Sequence, residues 1–196
     1  MRHPPEVWLI AALSTFAVTG VIAMQLDVER GSEPPDPPVS VEPDMALLDG
    51  AAWFAQVRPF CNAVEVETVQ PPPSSADGLM YQAACYALAG RIDRARTTVG
   101  LLPEELRPQA AGVIFEAGHP AADAGDEVAA GPLTELVVEH WPNHYMALYH
   151  AGAARYELGD GARARGYLER FLVEYAVEDG WRASARGMLQ SIENGR

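Results

Sequence analysis

The stretch from Ala147 to Tyr175 reads ALYHAGAARYELGDGARARGYLERFLVEY and contains two amphipathic segments on either side of one Gly-Asp turn. Apolar residues recur every three or four positions in both segments, which is the spacing of one face of an α-helix. Gly159 and Asp160 between the segments are residue types that favour a turn. The stretch therefore predicts two antiparallel helices joined by a tight turn.

A second stretch, LMYQAACYALAGRIDRARTTVGLL at residues 79–102, has the same organisation around Gly90. When Gly90 is aligned with Gly159, Ala83 falls opposite Gly152, and both are small. Small residues at such positions let two helices approach to within about 8–10 Å. The two turn glycines are 69 residues apart, which is close to two units of about 34 residues.

This pattern resembles the tetratricopeptide repeat (TPR), a helix-turn-helix unit that stacks into solenoids because a single hairpin cannot bury its apolar face. The resemblance covers roughly residues 78–193 and implies an all-α fold, a short α-solenoid of helical hairpins. The residues that carry it in the last unit are Gly152, Tyr156, Gly159, Asp160, Ala164, Leu168 and Phe171. Those that carry it in the first unit are Ala83, Tyr86, Gly90, Ala95 and Val99.

A middle unit would occupy about residues 110–143 and departs from the repeat pattern. Its first helix is expected to be broken by the sequence Gly118-His119-Pro120. Its second helix is predicted from the apolar residues Ala130, Leu133, Leu136, Val137 and Trp141. Residues 179–193 are expected to form a capping helix with inward-facing Trp181, Ala185, Met188 and Ile192.

An uncharged segment near the N-terminus, VWLIAALSTFAVTGVIAMQL at residues 7–26, predicts a transmembrane helix. A cleaved signal peptide is the alternative, but the run is long for such a peptide and no convincing cleavage site follows it. The amino terminus, Arg2 and His3 precede the span with Glu6 opposing, whereas residues 27–50 carry seven acids against one arginine. The positive-inside rule therefore places residues 1–6 in the cytoplasm. A stripe of small residues in the span would suit packing against another membrane helix: Ala11, Thr15, Thr19 and Ala23.

Differences in composition divide the remainder of the chain into a linker, a first helix with a loop, and the repeat domain. Residues 27–44 form a Pro-rich acidic linker, whose prolines favour extended conformations that would space the following domain from the membrane. Residues 45–77 are predicted to contain a first soluble helix over 45–66 and a loop, and residues 78–196 the repeat domain. This organisation predicts a single-pass protein of the bacterial inner (cytoplasmic) membrane with a periplasmic C-terminal domain.

The chain has two cysteines, Cys61 and Cys85. Because an outward-facing compartment is oxidising, the pair is expected to form a disulfide. Two buried free thiols are the alternative. A bridge that closes a loop of this length would stabilise the fold by about 3 kcal/mol in the chain-entropy description.

No catalytic residue, cofactor or metal site is predicted. His140 and His144 have the i,i+4 spacing of a helical metal pair, but Pro142 between them breaks the helix that the spacing requires. The chain carries no nucleophile elbow, phosphate-binding loop or H-E-x-x-H motif. Paired acids at 104–105 and 178–179 fall at expected helix starts, where they would stabilise the helix dipole.

The charge of the chain is strongly negative and uneven. All 14 cations are arginine, and the formal net charge is -13. Residues 27–154 hold six Arg against 19 Asp and Glu. This balance excludes nucleic acid as a partner and disfavours an anionic membrane surface. It suits either a basic protein partner or a solvated surface.

In TPR-like solenoids the first helix of each unit lines a concave groove that takes a peptide or a partner's helix. By position, the resemblance assigns seven residues to such a groove: Met80, Tyr81, Met146, Tyr149, His150, Tyr156 and Glu157. The expected function is a non-enzymatic scaffold or accessory subunit that assembles a larger membrane complex with integral or periplasmic subunits. Electron-transfer and photosynthetic reaction centre–antenna complexes are among the candidates. The alternative is a periplasmic peptide- or protein-binding module in envelope assembly, secretion or pilus biogenesis.

Overall fold

The computed structural model describes residues 49–195, which fold into α-helices without a β-strand and so confirm the predicted all-α class. Eight helices pack against one another within this part of the chain: α1 (Gly50–Val57), α2 (Ala76–Leu88), α3 (Ile92–Gly100), α4 (Arg107–Asp123), α5 (Glu127–His140), α6 (Tyr145–Glu157), α7 (Gly161–Glu174) and α8 (Gly180–Glu193). Short 3-10 turns at Arg58–Phe60 and Glu104–Leu106 precede longer connections or helices.

The predicted membrane span at 7–26, its stripe of small residues and the linker at 27–44 lie outside the described residues. From Asp49 to Gly195, none of the helices combines the length and the apolar character needed to cross a bilayer.

Three glycines in the left-handed region join the helices into pairs. Gly90, Gly125 and Gly159 have φ angles of 71°, 88° and 74°, which side chains other than glycine rarely adopt. Gly125 follows Gly90 by 35 residues, and Gly159 follows Gly125 by 34. The pairs α2–α3, α4–α5 and α6–α7 therefore recur at a nearly constant period. This regularity is compatible with a helical-repeat fold.

The helix predicted to be broken at Gly118-His119-Pro120 is continuous. Helix α4 runs through all three residues, and Pro120 lies inside it. Proline removes one intrahelical hydrogen bond. The packing of α4 against α2 and α5 outweighs that loss. Gly118 allows the close packing of α4 on α5, because a Cβ at this position would lie 2.4 Å from Leu133 Cδ1. The prediction was wrong because tertiary packing overrides the local breaking signal.

The helix predicted over residues 45–66 is shorter than expected. Helix α1 ends at Val57 and is followed by one 3-10 turn that contains Pro59. Beyond it, the Asn62 side-chain oxygen accepts hydrogen bonds from the backbone N–H groups of Val64 and Glu65 at 3.0 and 3.1 Å. Asparagine bonded in this way offers the backbone an alternative to the helix, which explains the early stop.

Small residues set the distance between neighbouring helices, as the sequence predicts for Gly152. A Cβ at Gly152 would lie 2.7 Å from Leu168 Cγ, so α6 and α7 are in direct contact there. A Cβ at Gly131 would lie 2.8 Å from Ala154 Cβ, so α5 and α6 are equally close. Helix α6 therefore packs on α5 and α7 at separations that a Cβ at Gly131 or Gly152 would force to increase.

Gly152→Ala is expected to lower the free energy of unfolding by about 1–3 kcal/mol, because the added methyl group overpacks the contact with Leu168. Gly166→Ala is the matched control on the facing helix, where a Cβ meets nothing within 4 Å. Alanine in an open helical position stabilises by about 0.5–1 kcal/mol relative to glycine. Chemical denaturation of the two variants of the full-length chain measures both changes. Equal shifts in the same direction would contradict this packing.

The predicted disulfide is confirmed. Cys61 and Cys85 are bonded, with their Cα atoms 4.9 Å apart, and both are buried. The bridge ties the segment after α1 to α2. Helix α1 itself is held by two hydrogen bonds: the Gly50 N–H donates to Asp77 of α2 at 2.6 Å, and Trp53 Nε1 donates to the Gln70 carbonyl in the loop before α2 at 3.0 Å. Helix α1 is therefore held against α2 and the loop that precedes it.

Helix α8 lies alongside α6 in parallel register. The Tyr149 hydroxyl donates to Ser184 Oγ at 2.9 Å, and two turns later the Tyr156 hydroxyl donates to Ser191 Oγ at 2.9 Å. Both pairs are separated by 35 residues. Helix α8 thus covers the face of α6 that a following repeat would cover.

Candidate functional site

Three of the seven residues predicted to line a partner groove are buried and are not available to a partner: Met80, Tyr149 and His150. The Tyr149 ring packs edge-on against Trp181 of α8 at a centroid distance of 4.8 Å. Burial raises the pKa of the Tyr149 hydroxyl, which stays protonated at neutral pH. The prediction needs this correction because the sequence did not show that α8 occupies the groove side of α6.

The other four predicted groove residues are more accessible but do not lie together on one open surface. Met146 and Tyr156 are half-buried and pack against the core, and Glu157 is exposed. Tyr81 of α2 is also half-buried. Of the seven predicted groove residues, Tyr81 is the one that lines a large apolar pocket in the described domain. The candidate site therefore lies toward the N-terminal end of the helical stack.

The pocket, here called the α1–α4 groove, has a volume of about 560 Å³ and is open to solvent. Its apolar lining comes from α1, α2, α4 and the end of α5: Phe54, Tyr81, Val113, Ala117 and Trp141. Its polar lining residues are Arg58, Gln109 and Glu116, all exposed. An apolar floor with a few polar groups at its edge is the organisation expected of a binding surface.

Trp141 forms one wall of the groove and is 38% exposed. It follows α5, where its backbone N–H donates to the Val137 carbonyl. A Cβ built on Gly112 of α4 would lie 3.5 Å from Trp141 Cζ3, so the indole lies over the small residue. Its other neighbour is His144, whose ring stands perpendicular at 4.8 Å. The indole is thereby held in place while a large part of its surface stays in water.

Arg58 links the two sides of the groove. It stands in the 3-10 turn after α1, and its Nη2 donates to the Ala117 carbonyl of α4 at 3.4 Å. Glu116, the neighbouring residue on α4, carries the opposite charge at the same pocket. The groove therefore offers one cation and one anion at the edge of an apolar floor.

A cluster of aromatic and histidine rings fills the space between α4 and α6. The Phe115 ring stacks on His119 at 4.5 Å and packs against His144 at 4.3 Å. His119 meets His150 edge-on at 5.1 Å. The two helices approach each other mainly through these side chains, whereas α4 and α6 both pack closely on α5.

His150 is fully buried and is held by a carboxylate. Its Nδ1 lies 3.0 Å from each carboxylate oxygen of Glu127, the first residue of α5. The Glu127 side chain is 13% exposed. An Nδ1–H that donates to this carboxylate leaves the Nε2 lone pair free, and His150 Nε2 has no hydrogen-bond partner.

His119 and Asp123 complete a group with the chemistry of a metal site. They are one turn apart on α4, and one ligand atom from each of His119, Asp123 and His150 lies within 4.8 Å of the others. His119 Nε2 is 3.3 Å from Asp123 Oδ1 but makes no hydrogen bond. Two imidazoles and a carboxylate are the donor set that divalent transition metals take in proteins.

His140 and His144, the pair weighed from the sequence, have separate structural roles. His140 is the last residue of α5, and His144 caps α6 by accepting a hydrogen bond from the Ala147 N–H at Nδ1. Burial lowers the pKa of both imidazoles, so the neutral form that can accept this bond dominates at neutral pH. The two residues lie at the end of one helix and the start of the next rather than on one helical face.

A site at His119, Asp123, Glu127 and His150 was not predicted from the sequence. The first three recur every four positions, as on one face of a helix, but the sequence predicts a helix break at His119. A continuous helix over 107–123 puts His119 and Asp123 on one face. That spacing was the available signal, and the predicted helix break at Gly118-His119-Pro120 hides it.

No family model, curated protein or solved structure matches this chain. Between Asp49 and Gly195, the fold and site define an all-helical domain of stacked helix pairs with an open apolar groove and a buried histidine cluster.

Proposed function

We propose that this protein is a non-enzymatic scaffold subunit of a membrane complex, whose helical domain holds a partner protein in the α1–α4 groove. The observation that carries the proposal is the groove itself, with an apolar floor and a Trp141 ring that is 38% exposed. Partly exposed tryptophan and tyrosine on a preformed surface are the residues that contribute most to protein–protein binding. The domain is of the TPR type in this proposal.

The occupant of the groove is a partner helix with two or three apolar side chains on one face and basic residues beside them. The apolar side chains match the floor formed by Phe54, Tyr81 and Trp141. Basic flanks match the charge of the domain that forms the groove, since residues 49–154 hold five Arg against 13 Asp and Glu. Opposite charges on the two surfaces raise the rate at which the proteins associate and fix the orientation of the partner helix in the groove.

The N-terminal segments supply the second half of the proposal. Residues 7–26 anchor the chain in the bacterial cytoplasmic membrane, with residues 1–6 in the cytoplasm and the helical domain in the periplasm. The stripe from Ala11 to Ala23 packs against a helix of an integral subunit. The linker at 27–44 sets the height of the groove above the bilayer. Two contacts made by one chain would give the complex an avidity that neither contact has alone.

Trp141→Ala is expected to raise the Kd for the partner by at least about 30-fold. Removing a hot-spot tryptophan from an interface costs about 2 kcal/mol or more of binding free energy, which corresponds to this factor. Val173→Ala, at a position that is 80% exposed on α7 and outside the groove, is the matched control. Both variants of the full-length chain are solubilised from native membranes in mild detergent. Stoichiometric co-migration with the partner, measured by size separation and mass spectrometry, should be lost only in Trp141→Ala.

The same experiment separates the scaffold from the alternative recruitment module. If deletion of residues 1–44 releases the partner and disrupts the remaining complex, the chain is a scaffold. If the truncated chain keeps full affinity for the partner and the complex stays intact, transient peptide recruitment replaces the scaffold proposal. A full-length chain that migrates alone as a monomer would contradict both.

A further inference from the structure

The histidine cluster contains two buried nitrogen atoms whose hydrogen-bonding capacity is unused. His119 Nε2 and His150 Nε2 are both shielded from solvent and make no hydrogen bond, although His119 Nε2 lies 3.3 Å from Asp123 Oδ1. A buried polar atom left without a hydrogen bond destabilises a fold, and native structures satisfy the large majority of them. His150 is 0% exposed, so bulk water does not compensate its ring nitrogen. Together with the nearby carboxylate of Asp123, the two atoms point to a site for a ligand that accepts nitrogen lone pairs.

Glu127 prepares His150 for such a ligand. It lies 3.0 Å from His150 Nδ1 through both oxygens, which fixes the tautomer with the proton on Nδ1. Histidines that bind metals almost always donate their second ring N–H to a carboxylate, a carbonyl or water. In an ordinary core histidine both ring nitrogens would be paired, and here only one is.

We propose that His119, Asp123 and His150 bind one divalent transition-metal ion, with zinc as the reference, and that Glu127 is the positioning carboxylate behind His150. Imidazole nitrogen and carboxylate oxygen are both ordinary zinc ligands. The set excludes magnesium and calcium, which prefer oxygen ligands alone. This site is separate from the α1–α4 groove and does not depend on the proposed function.

The ligand atoms are close enough for a small adjustment to complete the site. They lie within 4.8 Å of one another. Bonds of about 2.0–2.2 Å to one tetrahedral ion bring ligand atoms to roughly 3.4 Å from each other, so the most distant pair must close by up to about 1.4 Å. Asp123 is the last residue of α4 and its side chain is 51% exposed, which leaves it free to move. Water can reach that side and complete the fourth position.

The ion would join elements that otherwise touch mainly through side chains. His119 and Asp123 belong to α4, His150 belongs to α6, and Glu127 begins α5. The metal would therefore fix the middle helix pair against the last one, at the place where α4 contains Pro120. Because the ion binds the folded arrangement, its binding stabilises the fold by mass action.

The test uses the full-length chain without a polyhistidine tag, first freed of metal with a chelator. Titration calorimetry with Zn²⁺ should show one equivalent bound per chain, and Mg²⁺ should show none. Zn²⁺ should raise the midpoint of thermal unfolding. Co²⁺ should give the visible absorption of a tetrahedral or five-coordinate site. Sub-stoichiometric Zn²⁺ binding without a thermal shift would overturn the proposal.

The variants assign the site to these residues. His119→Gln and Asp123→Asn should each abolish the thermal shift produced by Zn²⁺, and both positions are accessible enough for the variants to fold. Glu127→Gln should weaken Zn²⁺ binding by about 10- to 100-fold, the effect of losing an outer carboxylate. His140→Gln is the matched control, because His140 Nε2 is also buried and unpaired but lies outside the cluster. If His140→Gln lowers the affinity as much as His119→Gln does, the proposed site is wrong.

Discussion

Phe171→Ala is expected to lower the free energy of unfolding by about 3–5 kcal/mol, the cost of removing a fully buried aromatic side chain. Phe171 is 0% exposed and packs against Tyr149 of α6 and Tyr175 at centroid distances of 5.3 and 5.2 Å. No smaller side chain can fill the space between these rings. For a chain of this size the midpoint of thermal unfolding should fall by roughly 2–4 °C for each kcal/mol lost.

Val173→Ala supplies the control for this prediction, because Val173 is two positions away on α7 and 80% exposed. Its substitution should change the free energy of unfolding by no more than about 0.5 kcal/mol. Chemical denaturation followed by circular dichroism measures both variants. A loss below about 1 kcal/mol for Phe171→Ala would show that α7 does not close the core against Tyr149 of α6.

Removal of the disulfide by Cys61→Ala with Cys85→Ala is expected to cost about 3 kcal/mol, since the bridge closes a loop of 24 residues. Alanine is chosen because both sulfur atoms are buried and a hydroxyl there would need a new partner. The bridge fixes α1 on α2, and α1 supplies Phe54 to the α1–α4 groove. Partner affinity should therefore fall together with stability.

The single variant Cys61→Ala tests whether the loss comes from the bridge. It should be destabilised nearly as much as the double variant, because either substitution breaks the same bond. Treatment of the unaltered chain with a reductant should give a similar loss in denaturant unfolding. If the reduced chain and both variants unfolded at the same denaturant concentration as the oxidised chain, the bridge would contribute nothing to the fold.

The sequence allowed the helical class and the turns to be predicted because local physics decides them. Gly90 and Gly159 stand at positions with positive φ, where few other residues are tolerated. Gly152 marks a helix contact that a larger residue would prevent. The disulfide followed from two cysteines in a chain with a predicted outward-facing domain. Each of these features depends on a single residue type at a defined place.

The candidate site could not be predicted, because it depends on contacts between distant residues. Tyr149 and His150 have the side chains of a binding surface, but Trp181 and Glu127, 32 and 23 residues away, bury them. The continuity of α4 depends on its packing against α5, which local breaking signals at Pro120 do not reveal. Trp141, interpreted as a core residue of the middle unit, is instead a wall of the groove.

Site-specific photo-crosslinking tests the central claim, that a partner protein occupies the α1–α4 groove, most directly. A benzophenone amino acid replaces Gln109, an exposed groove residue, in the full-length chain in its native membrane. The control carries it at Glu169, which is exposed on α7 and does not line the groove. We expect one cross-linked partner from position 109, joined through an apolar segment with basic flanks, and none from position 169. No product from position 109, or the same products from both positions, would contradict it.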